Sequence, residues 1–259
     1  MTESKVLSER SGHVGIIRIN RPEVRNCVDD EVSAGIEAAL DGYEADDDVW
    51  VVVITGTGDE AFCSGMDLKA FARLGPQAKI FTERGGFAGF THRKHLKPTI
   101  AAVNGAALGG GLEIVLACDL ATAAEQAQLG IPEVRVGLVA AAGGVTRLAK
   151  RVPRSLALEM CMTGEPIGAD RAYQAGLVNR LCKRGEALEG ALQLAESVCA
   201  GSPVAVRQSR SVTYASTAVD DDEAWALSRA AVKVIFRSED FKEGQRAFAE
   251  KRLPEWTGR

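Results

Sequence analysis

The sequence predicts an α/β fold closed by an all-helical C-terminal segment, and three observations predict it. Two continuous apolar runs, "VWVVVITG" (49–56) and "PTIAAVNG" (98–105), each end in glycine and read as strands buried on both faces. Each is followed by a small-residue loop and a helical stretch, so one strand–loop–helix unit recurs. From Pro203 to Lys251 the chain reads as helix nearly throughout. The expected division is a core over residues 1–200 and a helical segment over 201–259.

Element by element, "HVGIIRIN" (13–20) alternates and is β-branched, hence a strand, and "RPEV" breaks it. Val32, Ile36, Ala39, Leu40 and Tyr43 recur at helical spacing over 29–45. After the strand at 49–56 come a loop, "TGDEAFCSGMD", and a short helix from about residue 66. Ile80, Phe81, Phe87, Phe90 and Leu96 suggest a helix over 77–96. The strand at 98–105 leads into a helix from about residue 108, and "DLATAAE" and "AQLGIPEV" are short extended pieces. Helices follow near 155–163, 169–176 and 185–200, with "LVNRL" as a strand between the last two. "VDDDEAW" (219–225) reads as an acidic, capped helix start.

Composition narrows the function. A net charge of -4 and a pI near 5.6 argue against a nucleic-acid or anionic-membrane partner. No apolar run reaches the ~18 residues of a membrane span. The opening "MTESKVLSER" lacks a secretory apolar stretch, and no two of the six cysteines stand in a CxxC spacing. They read as buried thiols in a reducing compartment, so a cytoplasmic location is expected. The 27 glycines point to tight turns and close backbone approaches.

"GTGDEA" (56–61) matches a dinucleotide fingerprint, but Asp59 and Glu60 would face the phosphates and "FCSGMD" continues poorly as a helix. It reads as a loop. No G-x-S-x-G elbow occurs. His92 and His95 in "THRKH" have the spacing of one helix face but no third ligand, so no metal site is expected.

Two loops remain, "AFCSGMD" (61–67) and "NGAALGGGLE" (104–113), each delivered by a buried strand to a helix start. Helix-start N–H groups are unpaired donors at the positive end of the dipole. Two such units side by side can aim two N–H groups at one oxygen and form an oxyanion hole. Small residues are expected there because a side chain would fill the space of the substrate carbonyl. Two carboxylates follow, Glu113 in the apolar helix and Glu133 in "GIPEVRVG". Facing one pocket, they can divide acid and base work, with pKa values raised by burial.

"AFCSGMDL", "AAVNGAALGGGLEIVLACDL", "AQLGIPEVRVGL" and "AAGGVTRL" resemble the signature segments of the crotonase superfamily, specifically the enoyl-CoA hydratases. The resemblance runs from "RPEVRN" to "AFAEKR". It implies a ClpP/crotonase-type spiral of β-β-α turns, with the C-terminal helices mediating a homo-oligomer, a trimer or hexamer. The implied reaction is reversible syn hydration of a 2-enoyl-CoA. Carried over by position, Ser64 and Gly110 would supply the oxyanion-hole amides. Ser64, Gly65, Met66 and Asp67 would hold the CoA adenine, and Val24 and Asn26 would flank the pantetheine. Glu133 would handle the C2 proton and Glu113 the water, though that division stays open. An amide near Ala141 would help hold the water, residues 70–95 would line the acyl pocket, and Phe248 and Lys251 would reach a neighbour's CoA. No metal or redox cofactor is implied, since CoA arrives as part of the acyl-CoA thioester. "Ala140-Ala141" stands where the family often has Pro-Gly. "GGFAG", "SGMDLKA", "EMCMTG", "GLVNRL" and "AFAEKRLPEWTGR" resemble carnitinyl-CoA dehydratases, which keeps that reaction, and enoyl-CoA isomerisation, as alternatives.

Overall fold

The computed structural model describes residues 4–75 and 79–259. β1 (Val6–Ser11) and β2 (Val14–Ile19) form an antiparallel hairpin. A 3-10 turn at Pro22–Val24 then leads to α1 (Asp30–Ala45). Asp29 caps that helix, its carboxylate accepting from the Val32 amide at 2.9 Å.

Three turns of one plan follow. The first is β3 (Val51–Gly56), β4 (Ala61–Cys63) and α2 (Leu68–Leu74). After the small hairpin β5 (Phe81–Thr82) and β6 (Gly86–Phe87), the second is β7 (Thr99–Val103), β8 (Ala106–Leu108) and α3 (Gly110–Ala117). The third is β9 (Leu120–Ala124), β10 (Gln128–Gly130) and a 3-10 turn at Pro132–Val136. Then come α4 (Gly144–Arg151), α5 (Arg154–Thr163), β11 (Ile167–Gly168), α6 (Ala169–Gln174), β12 (Arg180–Cys182) and α7 (Ala187–Cys199). The chain finishes with α8 (Pro203–Ser216), α9 (Asp221–Ile235) and α10 (Glu239–Glu250).

The first strand of every turn enters a six-stranded sheet ordered β1-β2-β3-β7-β9-β12, and the second enters a four-stranded sheet ordered β11-β10-β8-β4. That is the expected spiral. β3 shows why its sequence lacks alternation. Val51 and Val53 pack with Ala191 and Ala195 of α7, while Val52 and Ile54 enter the main core. In the small sheet β4, β8 and β10 run parallel, with Leu129 opposite Ala107 and Ala107 opposite Cys63. Three successive turns therefore end side by side, and ligands of such sheets bind beyond the strands' carboxyl ends.

The helix expected over 77–96 is corrected. Residues 77 and 78 lie outside the described residues, and 79–96 form the β5–β6 hairpin and turns. The apolar spacing there is real, since Ile80, Phe87 and Phe90 are buried, but it serves turns. Gly86 and Gly89 take left-handed backbone, and a side chain on Gly89 would run into Glu37 and the Ser33 carbonyl of α1. "GTGDEA" joins strand to strand, and Arg184 pairs with Asp59 at 2.7 Å, so no helix start faces a phosphate. The acidic start of α9 is capped as expected, Asp220 accepting from the Glu223 amide at 2.9 Å. No described helix is long and apolar enough to cross a membrane.

Candidate active site

At the carboxyl ends of β4 and β8 two main-chain turns touch. A side chain on Gly65 (φ +92°) would sit 3.1 Å from the Gly110 nitrogen and 3.2 Å from the Leu108 carbonyl oxygen, so only glycine permits the approach. Among the described residues, the amides of Met66 and Gly110 have no acceptor. The Ser64 amide, expected as a donor to ligand, is already spent on the Arg25 carbonyl at 3.1 Å. This corrects the expectation. The free donor on this loop is Met66, because Met66 bridges Val28 and turns its own N–H away from that ladder.

The three glycines at 109–111 answer to three different neighbours. Gly109 (φ +56°) has left-handed backbone, and a Cβ there would lie 3.1 Å from Glu133 Oε1. A Cβ on Gly110 would meet the Phe87 ring, Cζ at 2.5 Å. Gly111 abuts the Cys63 carbonyl. The Phe87 ring is thus one reason for glycine at 110.

Both glutamates reach this turn. Glu113, in the first turn of α3, is 4% exposed, and its Oε1 accepts from the Gly144 amide at 2.9 Å. Burial chiefly, and then the nearby charge of Glu133, push its pKa above the usual carboxylate range. Burial likewise raises Glu133, whose Oε2 is enclosed without a hydrogen-bond partner among the described residues. An unpartnered carboxylate oxygen beside two unpartnered amides is costly unless something else completes the site.

The raised values fix the sign of a stability effect. A carboxyl whose folded pKa exceeds its unfolded one costs the native state nothing while protonated and destabilises it as pH rises through and above the unfolded value. Glu113→Gln, which keeps the oxygen facing Gly144, is expected to melt higher than the parent at about pH 8, with the gain vanishing near about pH 4. Thermal scans at the two pH values check this; an equal gain at both contradicts it.

Residues 9–259 match the protein family described as Enoyl-CoA hydratase/isomerase. The chain belongs to this family. A carnitinyl-CoA dehydratase of Proteus mirabilis is 38% identical over the whole of both chains. Among solved structures, an enoyl-CoA hydratase of Mycobacterium tuberculosis superposes with a TM-score of 0.94 at 44% identity, over 99% of this chain and 100% of that one. A carnitinyl-CoA hydratase of Mycobacterium avium gives 0.80 at 44% identity over all of both. The crotonase kinship and spiral expected from the signature segments are borne out.

Other residues carried over from the enoyl-CoA hydratases fare unevenly. Asn26 is fully buried, its amide group donating to Thr57 and Ala61 carbonyls at 3.0 and 2.7 Å and accepting from the Arg21 amide at 3.0 Å. It ties together the turns around residues 21 and 57–61, so its side chain is engaged within the chain. Asp67 spends one oxygen capping α2 through Ala70 and the other on Arg21 at 3.0 Å, so its side chain is engaged within the chain rather than open to an adenine. Val24 is exposed at the end of its 3-10 turn, and Ala141 is exposed beside buried Ala140. Phe248 is 87% exposed on α10, and Lys251 ends that helix in left-handed backbone. Of the 70–95 segment, Phe87 reaches Gly110, whereas residues 76–78 lie outside the described ones. His95 is buried with its pKa lowered to about 4, chiefly by desolvation, and shares no helix with His92. No group of three metal-ligating side chains occurs among the described residues. All six cysteines are free, but only Cys63 and Cys118 are fully buried.

Proposed function

We propose that this enzyme adds water reversibly across the C2=C3 bond of a 2-enoyl-CoA thioester. The observation that carries the reading is the meeting of Glu113 and Glu133 at the turn where the Met66 and Gly110 amides stand unpaired. The thioester oxygen accepts from those two amides, which stabilise the enolate that forms when water attacks C3. Glu113, ionised and steadied by Gly144, takes the water's proton. Glu133, whose carboxyl burial pushes toward the protonated form, gives its proton to C2 and regains one as the product leaves. The atoms of water end on C2 and C3, and no redox or metal step enters. CoA is part of the substrate, its adenine and pantetheine resting on the main chain of 64–67 and on exposed Val24.

Exposed Phe236 at the end of α9, Phe248 on α10 and Leu253 beyond it support a homo-oligomer, a trimer or hexamer, in which Phe248 and Lys251 approach a neighbour's CoA. The six unpaired thiols support a cytoplasmic site of action.

A second reading, carnitinyl-CoA dehydration, is favoured by the name of the Proteus mirabilis relative and uses the same carboxylate pair on a polar acyl chain. Crotonyl-CoA and crotonobetainyl-CoA, compared by the loss of enoyl-thioester absorbance, separate the two. Turnover of crotonyl-CoA is expected. Turnover of crotonobetainyl-CoA alone replaces the first reading by the second, and tight CoA-ester binding without turnover of either defeats both.

A further inference from the structure

Between Glu113 and the surface stands one arginine that pairs with no carboxylate. Arg147, in α4, has no acidic group within ion-pair distance among the described residues, although it is half-buried. Its guanidinium instead donates to two main-chain carbonyls, Nη1 to Ala142 at 3.2 Å and Nη2 to Thr91 at 2.6 Å. It also lies against the face of Gly143, where a side chain would run into it, and Gly143 has left-handed backbone (φ +116°). The next residue, Gly144, is the one whose amide holds Glu113 Oε1. Guanidinium and carboxylate thus bracket a single two-glycine turn.

We propose that Arg147 is a positioning residue for the hydration: it clamps the turn at Ala142–Gly144 and sets a fixed positive charge opposite Glu113. The proposal rests on the hydratase reading above. It is supported by the mutual influence of the two charges, each favouring the ionised form of the other against the desolvation that opposes both. Two like charges oppose this pairing, Glu133 against Glu113 and Arg151 against Arg147. Glu113 otherwise faces Glu133 from the 3-10 turn. Arg147 otherwise faces Arg151 on its own helix, the Tyr214 hydroxyl of α8 and the Cys118 thiol, and burial raises both of these acids so that they stay neutral. Asp119, the one carboxylate lining the cavity of about 900 Å³ behind Arg147, is held by Arg210 at 2.8 Å and by the Tyr214 hydroxyl at 2.7 Å. Arg147 has Glu113 as its open counter-charge.

The test is the acid limb of the kcat/KM profile in Arg147→Met and Arg147→Lys. A base that must be ionised loses activity below its pKa, so removing a facing cation moves the limb to higher pH. In Arg147→Met the shift expected is about one pH unit, and Arg147→Lys, which keeps the charge, is expected to restore the limb to its parent position. A merely structural role predicts lowered melting temperature in both variants with limbs that superimpose on the parent, and that result overturns the proposal. So does a lysine variant that shifts as far as the methionine one. If Arg147→Met does not fold, Arg147→Gln, which still donates to one carbonyl, reads the same limb. The infrared carboxyl band of Glu113, assigned by its loss in Glu113→Gln, gives the titration without turnover. An inactive parent enzyme would therefore sink the hydratase reading while the band still decides whether Arg147 sets Glu113's charge.

Discussion

Glu133→Gln is expected to lower kcat by about a thousandfold while leaving the Kd for a saturated acyl-CoA unchanged. The substitution is nearly isosteric and removes only the capacity to exchange a proton, and a positioned acid or base contributes about 10²–10⁴ in rate. Glu133 suits the experiment better than Glu113. Glu113 Oε1 is held by the Gly144 amide, so glutamine there also alters a structural contact. Glu133 Oε2 has no partner to lose among the described residues. Stopped-flow turnover and a separate calorimetric titration of the ester measure the two quantities independently. A large loss of affinity with kcat retained would make Glu133 a binding group and return the acid–base work to Glu113 alone.

What could be read from the sequence, and what could not, follows from how far each feature depends on distant chain. The two buried strands β3 and β7 carry their whole signal locally, as unbroken β-branched or small apolar runs ended by glycine. Asp220 capping α9 is equally local. The glutamate pair was legible because each sits in a short, distinctive segment, although their convergence depends on the parallel register of β8 and β10. The free amide of the oxyanion loop stands two residues from the one the resemblance implies, at Met66 rather than Ser64. Which of the Ser64 and Met66 amides is free is decided by the Arg25 carbonyl and by Val28, nearly forty residues upstream in sequence, and nothing in "FCSGMD" encodes that. This reason for Gly110 was hidden for the same cause, since the Phe87 ring arrives from a segment whose apolar spacing mimics a helix. Asn26 shows the converse. A polar side chain next to a candidate site is fully consumed by backbone groups of the turns it ties together, a role that sequence alone does not separate from ligand binding.

Gly111 predicts the largest effect on stability. Gly111→Ala is expected to destabilise the protein by about 3 kcal/mol, because the new methyl would overlap a main-chain carbonyl rather than the tip of a side chain. That carbonyl belongs to Cys63, the last residue of β4, which is fully buried and paired against Ala107 of β8. Neither strand can swing away without breaking the small sheet, and α3 cannot retreat without withdrawing the Gly110 amide from the Met66 turn. A loss of this size corresponds to a fall of roughly 6–12 °C in Tm for a chain near this length. Gly42, inside α1 with open space where a Cβ would stand, supplies the control. There alanine meets nothing, and Gly42→Ala is expected to raise stability by about 0.5–1 kcal/mol through helix propensity alone. Thermal melts of the two variants beside the parent decide the matter. A Gly111→Ala protein that melts with the parent would mean that β4 and α3 can separate freely, and the close contact on which the paired amides depend would lose its physical basis.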